Sequence, residues 1–258
     1  RRPARKSWTA NVRFAAPGFV LTVTNDILVA GSNPREFGLQ VINGRIDCGG
    51  DLTLRGSGLT LTNSGSALVT LTVGGDLVLT NSGGATQGGM LLVQAGATNG
   101  IAPGYGALTA VGGTWMVGPN SLVYPCAHAY NGGAPRFTAG RLIIEQTGLI
   151  NANTRGFAAV TGPGASTAAN PYPGGSYGGQ GGVGKPPYGS CEEPTLPGSG
   201  AWTIAGGGVV WLEIAGTAVI DGTITANGAD GTGGSSGGGI YLTCATLAGT
   251  GGLVTANG

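Results

Sequence analysis

Apolar residues alternate with threonine, serine or asparagine along most of the chain, as in Phe19-Val-Leu-Thr-Val-Thr24, Leu59-Thr-Leu-Thr62, Leu68-Val-Thr-Leu-Thr-Val73 and Leu77-Val-Leu-Thr80. A period of two puts every second side chain on one face of an extended chain, so these runs predict short strands with one buried face. Each run stops at Gly, Asn or Asp, residues that tolerate turn conformations. Thr and Val are also favoured on pleated surfaces. No stretch carries apolar residues at i, i+3, i+4 and i+7 through three turns, so no amphipathic helix is expected.

The strands recur in copies. Gly206-Gly-Gly-Val-Val-Trp-Leu-Glu-Ile and Gly237-Gly-Gly-Ile-Tyr-Leu-Thr each open a unit that closes on Thr-Ala-Asn-Gly, at Gly228 and Gly258. A more divergent copy runs from Gly140 through Leu142-Ile-Ile to Asn151-Ala-Asn153. Nearer the start, Cys48-Gly-Gly-Asp-Leu-Thr-Leu54 returns as Val73-Gly-Gly-Asp-Leu-Val-Leu79. A unit of roughly 20–30 residues holding two or three short strands cannot bury its own apolar face, whereas stacked copies bury a continuous core. The prediction is therefore an all-β solenoid, specifically a right-handed parallel β-helix. At ~25 residues per coil it would have on the order of ten coils and a length of roughly 45 Å.

These repeats resemble the pectin-lyase-like β-helix domains of large bacterial secreted or surface proteins. The residues that carry the resemblance are Gly237-Gly-Gly-Ile-Tyr-Leu, Gly249-Thr-Gly-Gly-Leu-Val-Thr-Ala-Asn-Gly258 and the upstream Gly174-Gly-Ser-Tyr-Gly-Gly-Gln-Gly-Gly182. The resemblance covers residues 140–258 by motif and the first part by general pattern. It implies an extracellular or cell-surface setting and no particular activity, because this fold carries lyases, hydrolases, adhesins and plain rods.

Composition narrows the alternatives. The 55 glycines follow no three-residue register, which excludes collagen. Hydrophobic residues at 41% and charged residues at 9% are the reverse of a disordered chain. The formal net charge of +1 gives no field for nucleic acid, and no apolar run is long enough to insert as a membrane helix. Charge is concentrated at one end, where Arg1, Arg2, Arg5, Lys6 and Arg13 occur without an acid. This stretch reads either as a solvated terminus or as an arm, residues 1–18, that reaches another copy. Arg5, Lys6, Trp8, Arg13, Phe14 and Phe19 are its candidate subunit contacts.

Coils are expected over residues 19–156 and 202–258, divided by a Pro/Gly/Tyr-rich insertion at 157–201. Tyr172, Tyr177 and Tyr188 of this insertion are candidates for stacking on a sugar ring or for pinning a flap against the rod. Four cysteines without a Cys-x-x-Cys pair, beside a single histidine, argue against zinc and for disulfides in an oxidising compartment. Of the three possible pairings, Cys126 with Cys191 is favoured because both lie in loop-like sequence.

Catalytic signals are sparse. No Asp-Asp pair occurs, and the only adjacent acids are Glu192 and Glu193. Asp51 and Asp76 hold equivalent repeat positions and would align on neighbouring coils, most simply as turn residues. His128 is a lone candidate base, and Asn227-Gly-Ala-Asp-Gly-Thr-Gly-Gly234 has one Asp, too few to hold calcium. No catalytic residue, metal or cofactor is expected. The last residues, Thr255-Ala-Asn-Gly258, close a repeat, so a further coil is expected on that end, from a longer chain or from a stacked copy. The reading is a non-catalytic extracellular structural protein, part of a surface filament, sheath or adhesin stalk, with other copies of itself as partner and surface glycans as a second partner class. The alternatives are a carbohydrate-binding module or a polysaccharide lyase or hydrolase.

Overall fold

The computed structural model describes residues 11–31, 37–64, 68–82, 87–98, 104–166, 174–181, 185–231 and 233–258. Among them the chain winds as a parallel β-solenoid of about seven coils, without a helix. The first coil holds β1 (Val12–Phe14), β2 (Val20–Val23) and β3 (Ile27–Ala30), and the second holds β4 (Phe37–Ile42), β5 (Arg45–Cys48) and β6 (Leu52–Arg55). The third holds β7 (Gly58–Thr62), β8 (Val69–Val73) and β9 (Leu77–Thr80). The fourth has β10 (Met90–Gln94) and the long β11 (Tyr105–Val117), and the fifth β12 (Leu122–Cys126) and β13 (Ala134–Ile144). β14 (Leu149–Asn151), β15 (Val209–Ile214) and β16 (Thr217–Ile220) form the sixth. β17 (Thr223–Thr225), β18 (Gly239–Thr243) and β19 (Thr246–Ala248) form the seventh, and β20 (Leu253–Thr255) begins another.

Stacking these coils makes three faces. The first is the eight-stranded sheet β1-β4-β7-β10-β12-β14-β17-β20. The second runs β2-β5-β8-β11-β13-β15-β18, and the third β3-β6-β9, the far halves of β11 and β13, then β16 and β19. β11 and β13 serve two faces because each bends at its middle, where the register slips between Val111 and Thr114. Two glycines, Gly112 and Gly113, fill that slip.

The predicted alternation is realised as three apolar columns along the axis. On the first face Leu39, Leu59, Leu91, Val123, Ile150 and Ile224 follow one another in register. On the second the column is Leu21, Ile46, Leu71, Thr109, Phe137, Leu212 and Leu242. On the third it is Ile27, Leu52, Leu77, Trp115, Leu142, Ala218 and Leu247. Most of these side chains are fully buried in one continuous core, in which Trp115 stacks on Phe137 at 5.1 Å. Each buried aliphatic contributes about 1.5–3 kcal/mol, so the columns are the main source of stability. Thr109 is the polar member, and its Oγ1 has no hydrogen-bond partner.

The corners absorb whatever length does not fit the columns. Gly56 sits in one with φ +55°, and a Cβ there would lie 2.6 Å from the carbonyl oxygen of Gly31. The largest excursion, residues 152–208, leaves after β14 and returns at β15, while the pairings Ile150 with Ile224 and Phe137 with Leu212 continue across it. This excursion, with coil repeats that stretch from 25 to 38 residues, explains why about seven coils form rather than the ten expected.

Candidate functional site

Where the second face turns into the third, one acid in each of the first three coils ties it to the next. Asp26 Oδ1 accepts the backbone N–H of Asp51 at 3.0 Å, Asp51 Oδ1 that of Asp76 at 2.8 Å, and Asp76 Oδ1 that of Thr114 at 2.6 Å. The alignment of Asp51 and Asp76 foreseen from the repeat is thus present, and each carboxylate is engaged with backbone. Asparagines do the same beside the first face. Asn153 Oδ1 accepts the N–H of Asn227 at 2.7 Å, and Asn227 Oδ1 accepts that of Asn257 at 2.7 Å. The Thr-Ala-Asn-Gly repeat is the sequence trace of this column, since Thr225 Oγ1 also donates to Asn153 Oδ1 and Thr255 Oγ1 to Thr225 Oγ1.

A second constellation lies on the outer side of the second face, over the fourth to seventh coils. Register places Arg136, Trp211 and Tyr241 in one outward row on β13, β15 and β18, and Thr138, Glu213 and Thr243 in the next. Arg136 and Glu213 form a two-pronged ion pair, with Nε to Oε1 at 3.0 Å and the second prong from Nη2 to Oε2. Trp211 Nε1 donates to the same Oε1 at 2.8 Å. The Arg136 guanidinium lies 5.3 Å from the ring centre of Tyr105 and 5.8 Å from that of Trp211. Tyr105 and Tyr241 meet Trp211 edge-on at 6.3 and 6.5 Å. Hydrogen bonding from Arg136 holds the Glu213 carboxyl below its ordinary range, and the bond to Glu213 pushes the guanidinium further up. Beside Tyr105 opens a cavity of about 410 Å³, whose lining includes Leu68, Ala97, Thr98 and Gly106. Sequence reading missed this cluster because Arg136 and Glu213 are 77 residues apart. The one local trace is Trp211-Leu-Glu213, two large side chains on the outward face of a single strand.

In the insertion, Tyr177 and Tyr188 face each other edge-on with centroids 5.1 Å apart. The Tyr188 hydroxyl donates to the Pro197 carbonyl at 2.5 Å and accepts from Ser199 Oγ at 2.9 Å. Burial pushes the Tyr177 hydroxyl up to about 12 and raises that of Tyr188 as well. These two rings fasten the insertion to itself and to the segment that leads back into β15. Tyr172, the third of the set, lies outside the described residues.

His128 Nδ1 accepts the backbone N–H groups of Asn131 at 3.0 Å and Tyr130 at 3.4 Å, closing the turn after β12. Of the terminal contact candidates, Arg5, Lys6 and Trp8 lie outside the described residues. Arg13 and Phe14 belong to β1, which pairs with β4 in the first coil. Phe14 stacks on Phe19 at 4.2 Å. The expected Cys126–Cys191 disulfide is not formed, and all four cysteines are free. Cys126 is held in the strand ladder at the end of β12, with its Sγ directed at the Tyr124 carbonyl at 3.7 Å, whereas Cys191 is exposed in the insertion. Burial pushes the Cys126 thiol up despite the nearby Arg155, and does the same to Cys48. Among the described residues no group of three His, Cys, Asp or Glu side chains could hold a metal ion.

The fold defines the chain as a parallel β-helix. No protein-family model, curated protein or solved structure matches it.

Proposed function

We propose that the chain is a non-catalytic structural segment of an extracellular or cell-surface assembly, a β-helical rod that copies of itself extend end to end into a filament, sheath or adhesin stalk. Membership of the pectin-lyase-like class of bacterial surface proteins is part of this proposal. The observation that carries it is a match between the two end coils. Leu242, Leu247 and Val254 are the last described members of the three columns, as Leu21, Ile27 and Val12 are the first. Leu247 and Val254 are 63% and 52% exposed, and among the described residues β18, β19 and β20 have a strand on one edge only. A further coil stacked there, from a second copy or from the same chain, would cover aliphatic side chains with aliphatic side chains and pair open backbone groups.

The engagement of the acid–base side chains supports a structural role. Asp26, Asp51, Asp76 and Asp221 each accept a backbone N–H, and His128 accepts two. Groups committed to corners are poorly placed to exchange protons with a substrate.

Sedimentation and electron microscopy of the chain over a range of concentrations test the reading. Growing fibres that are lost in Leu247→Asp/Val254→Asp are expected. A monodisperse monomer at every concentration would overturn end-to-end assembly.

A further inference from the structure

We propose that the outward shelf formed by Tyr105, Arg136, Trp211, Glu213 and Tyr241 is a binding site for a neutral glycan. The inference does not rest on the stacking of coil ends: although Tyr241 lies on the end strand β18, register puts its side chain on the same sideways-facing row as Trp211 and Arg136. The outward row Leu108, Arg136, Trp211 and Tyr241 is bulky. The adjacent row Ala110, Thr138, Glu213 and Thr243 is small except at Glu213. Gly140 and Ala215 continue the low side beyond it. The result is a shelf along the axis with an aromatic wall and a charged pair at its centre.

Each part suits a sugar. Pyranose rings carry C–H faces that pack on aromatic rings and hydroxyls that need donors and acceptors side by side. Trp211, 9% exposed, is the support, while Tyr105 and Tyr241, each only partly buried, pack against it on either side. Arg136 supplies donors in a fixed fork, and the adjoining Glu213 supplies acceptors. Because the two are already paired and Trp211 locks the carboxylate, their geometry is set before a ligand arrives.

Charge selects the class of glycan. The guanidinium is neutralised by Glu213, so a uronic-acid carboxylate would have to displace that carboxylate and sit beside it. A neutral hexose chain meets no such cost. The cavity of about 410 Å³ on the other side of Tyr105 shares that ring with the shelf.

The test is affinity electrophoresis of the chain in gels containing β-glucan, xyloglucan, galactomannan or, as the acidic counterpart, polygalacturonate. Calorimetry with an oligosaccharide of the retarding polymer follows. Retardation by at least one neutral polymer and not by polygalacturonate is expected, with affinity at least tenfold weaker in Tyr105→Ala/Tyr241→Ala. Tyr130→Ala, an exposed tyrosine on the turn after β12, should bind as the parent does. Tyr241→Ala alone, and circular dichroism of each variant, separate loss of binding from loss of fold. Migration unaffected by every neutral polymer, equal retardation of the double variant, or a preference for polygalacturonate would each overturn the proposal.

Discussion

Asp51 accepts the backbone N–H of Asp76 at 2.8 Å, and the two residues are 25 positions apart, one full coil. One side chain therefore reports the length of a coil and holds its corner. Removing it in Asp51→Ala leaves that N–H to water, and the loss should be about 1 kcal/mol because the site is exposed. Asp51→Asn keeps a carbonyl acceptor and should lose less than half as much. Urea unfolding midpoints of the two variants check the order.

The interior makes a sharper prediction. Phe137 is fully buried between Thr109 and Leu212 and against Trp115, so Phe137→Ala opens a cavity and should cost about 3–5 kcal/mol. At the neighbouring position the sign reverses. Thr109 buries a hydroxyl without a partner, and Thr109→Val replaces it by a methyl group of the same shape, which should stabilise by about 1 kcal/mol. Chemical denaturation of both variants measures the contrast.

The Arg136–Glu213 pair should show itself as a pH dependence. The folded-state pKa of Glu213 is held below its ordinary value by Arg136, so the pair's contribution is fully present above the unfolded pKa near 4.5. It is lost as pH falls through the lower folded value. The stability difference between the parent and Glu213→Gln should therefore be constant from pH 7 to about 5 and shrink toward pH 3. A difference that stays flat to pH 3 would mean that the two side chains are not paired.

The thiols provide a test of local exposure. Cys191 is exposed, Cys48 is buried, and burial raises the thiol of Cys126. Native protein treated with Ellman's reagent should react first at Cys191, while Cys48 and Cys126 wait for unfolding. Mass spectrometry without reductant should find no Cys126–Cys191 bridge.

Local chemistry made the solenoid legible. Leu59-Thr-Leu61 and Leu77-Val-Leu79 alternate because every second side chain enters the core, and Asp51 and Asp76 recur because a coil there is 25 residues long. The Asn227 and Asn257 column was likewise readable in Thr-Ala-Asn-Gly. What escaped the sequence were relationships set by corners of irregular length. Arg136 meets Glu213 only because the excursion between them returns to the adjacent level of the stack, with β15 paired on β13, and no spacing rule announces that. The cysteine pairing failed for a similar reason: loop-like sequence around Cys126 belongs to a strand, since Pro125 falls in β12 beside Val93 of β10. Proline in a ladder costs one backbone donor, and a strand held by its neighbours' packing tolerates that loss.

The asparagine column spans 74 residues from Asn153 to Asn227 and 30 from Asn227 to Asn257, with the same 2.7 Å bond in each step. Height in this molecule is thus counted in corners passed and is indifferent to the contour length of chain spent between them. The outer part of the detour, beyond the Gly156–Gly206 backbone bond, is in effect a cassette, spliced between two strands that would otherwise follow each other closely. A foreign segment anchored at Gly156 and Gly206, where the Gly156 N–H bonds the Gly206 carbonyl at 2.9 Å and Asn153 stays in its column, should ride on the shaft at the same point without altering its pitch, which makes this corner the natural place for the rod to display something other than itself.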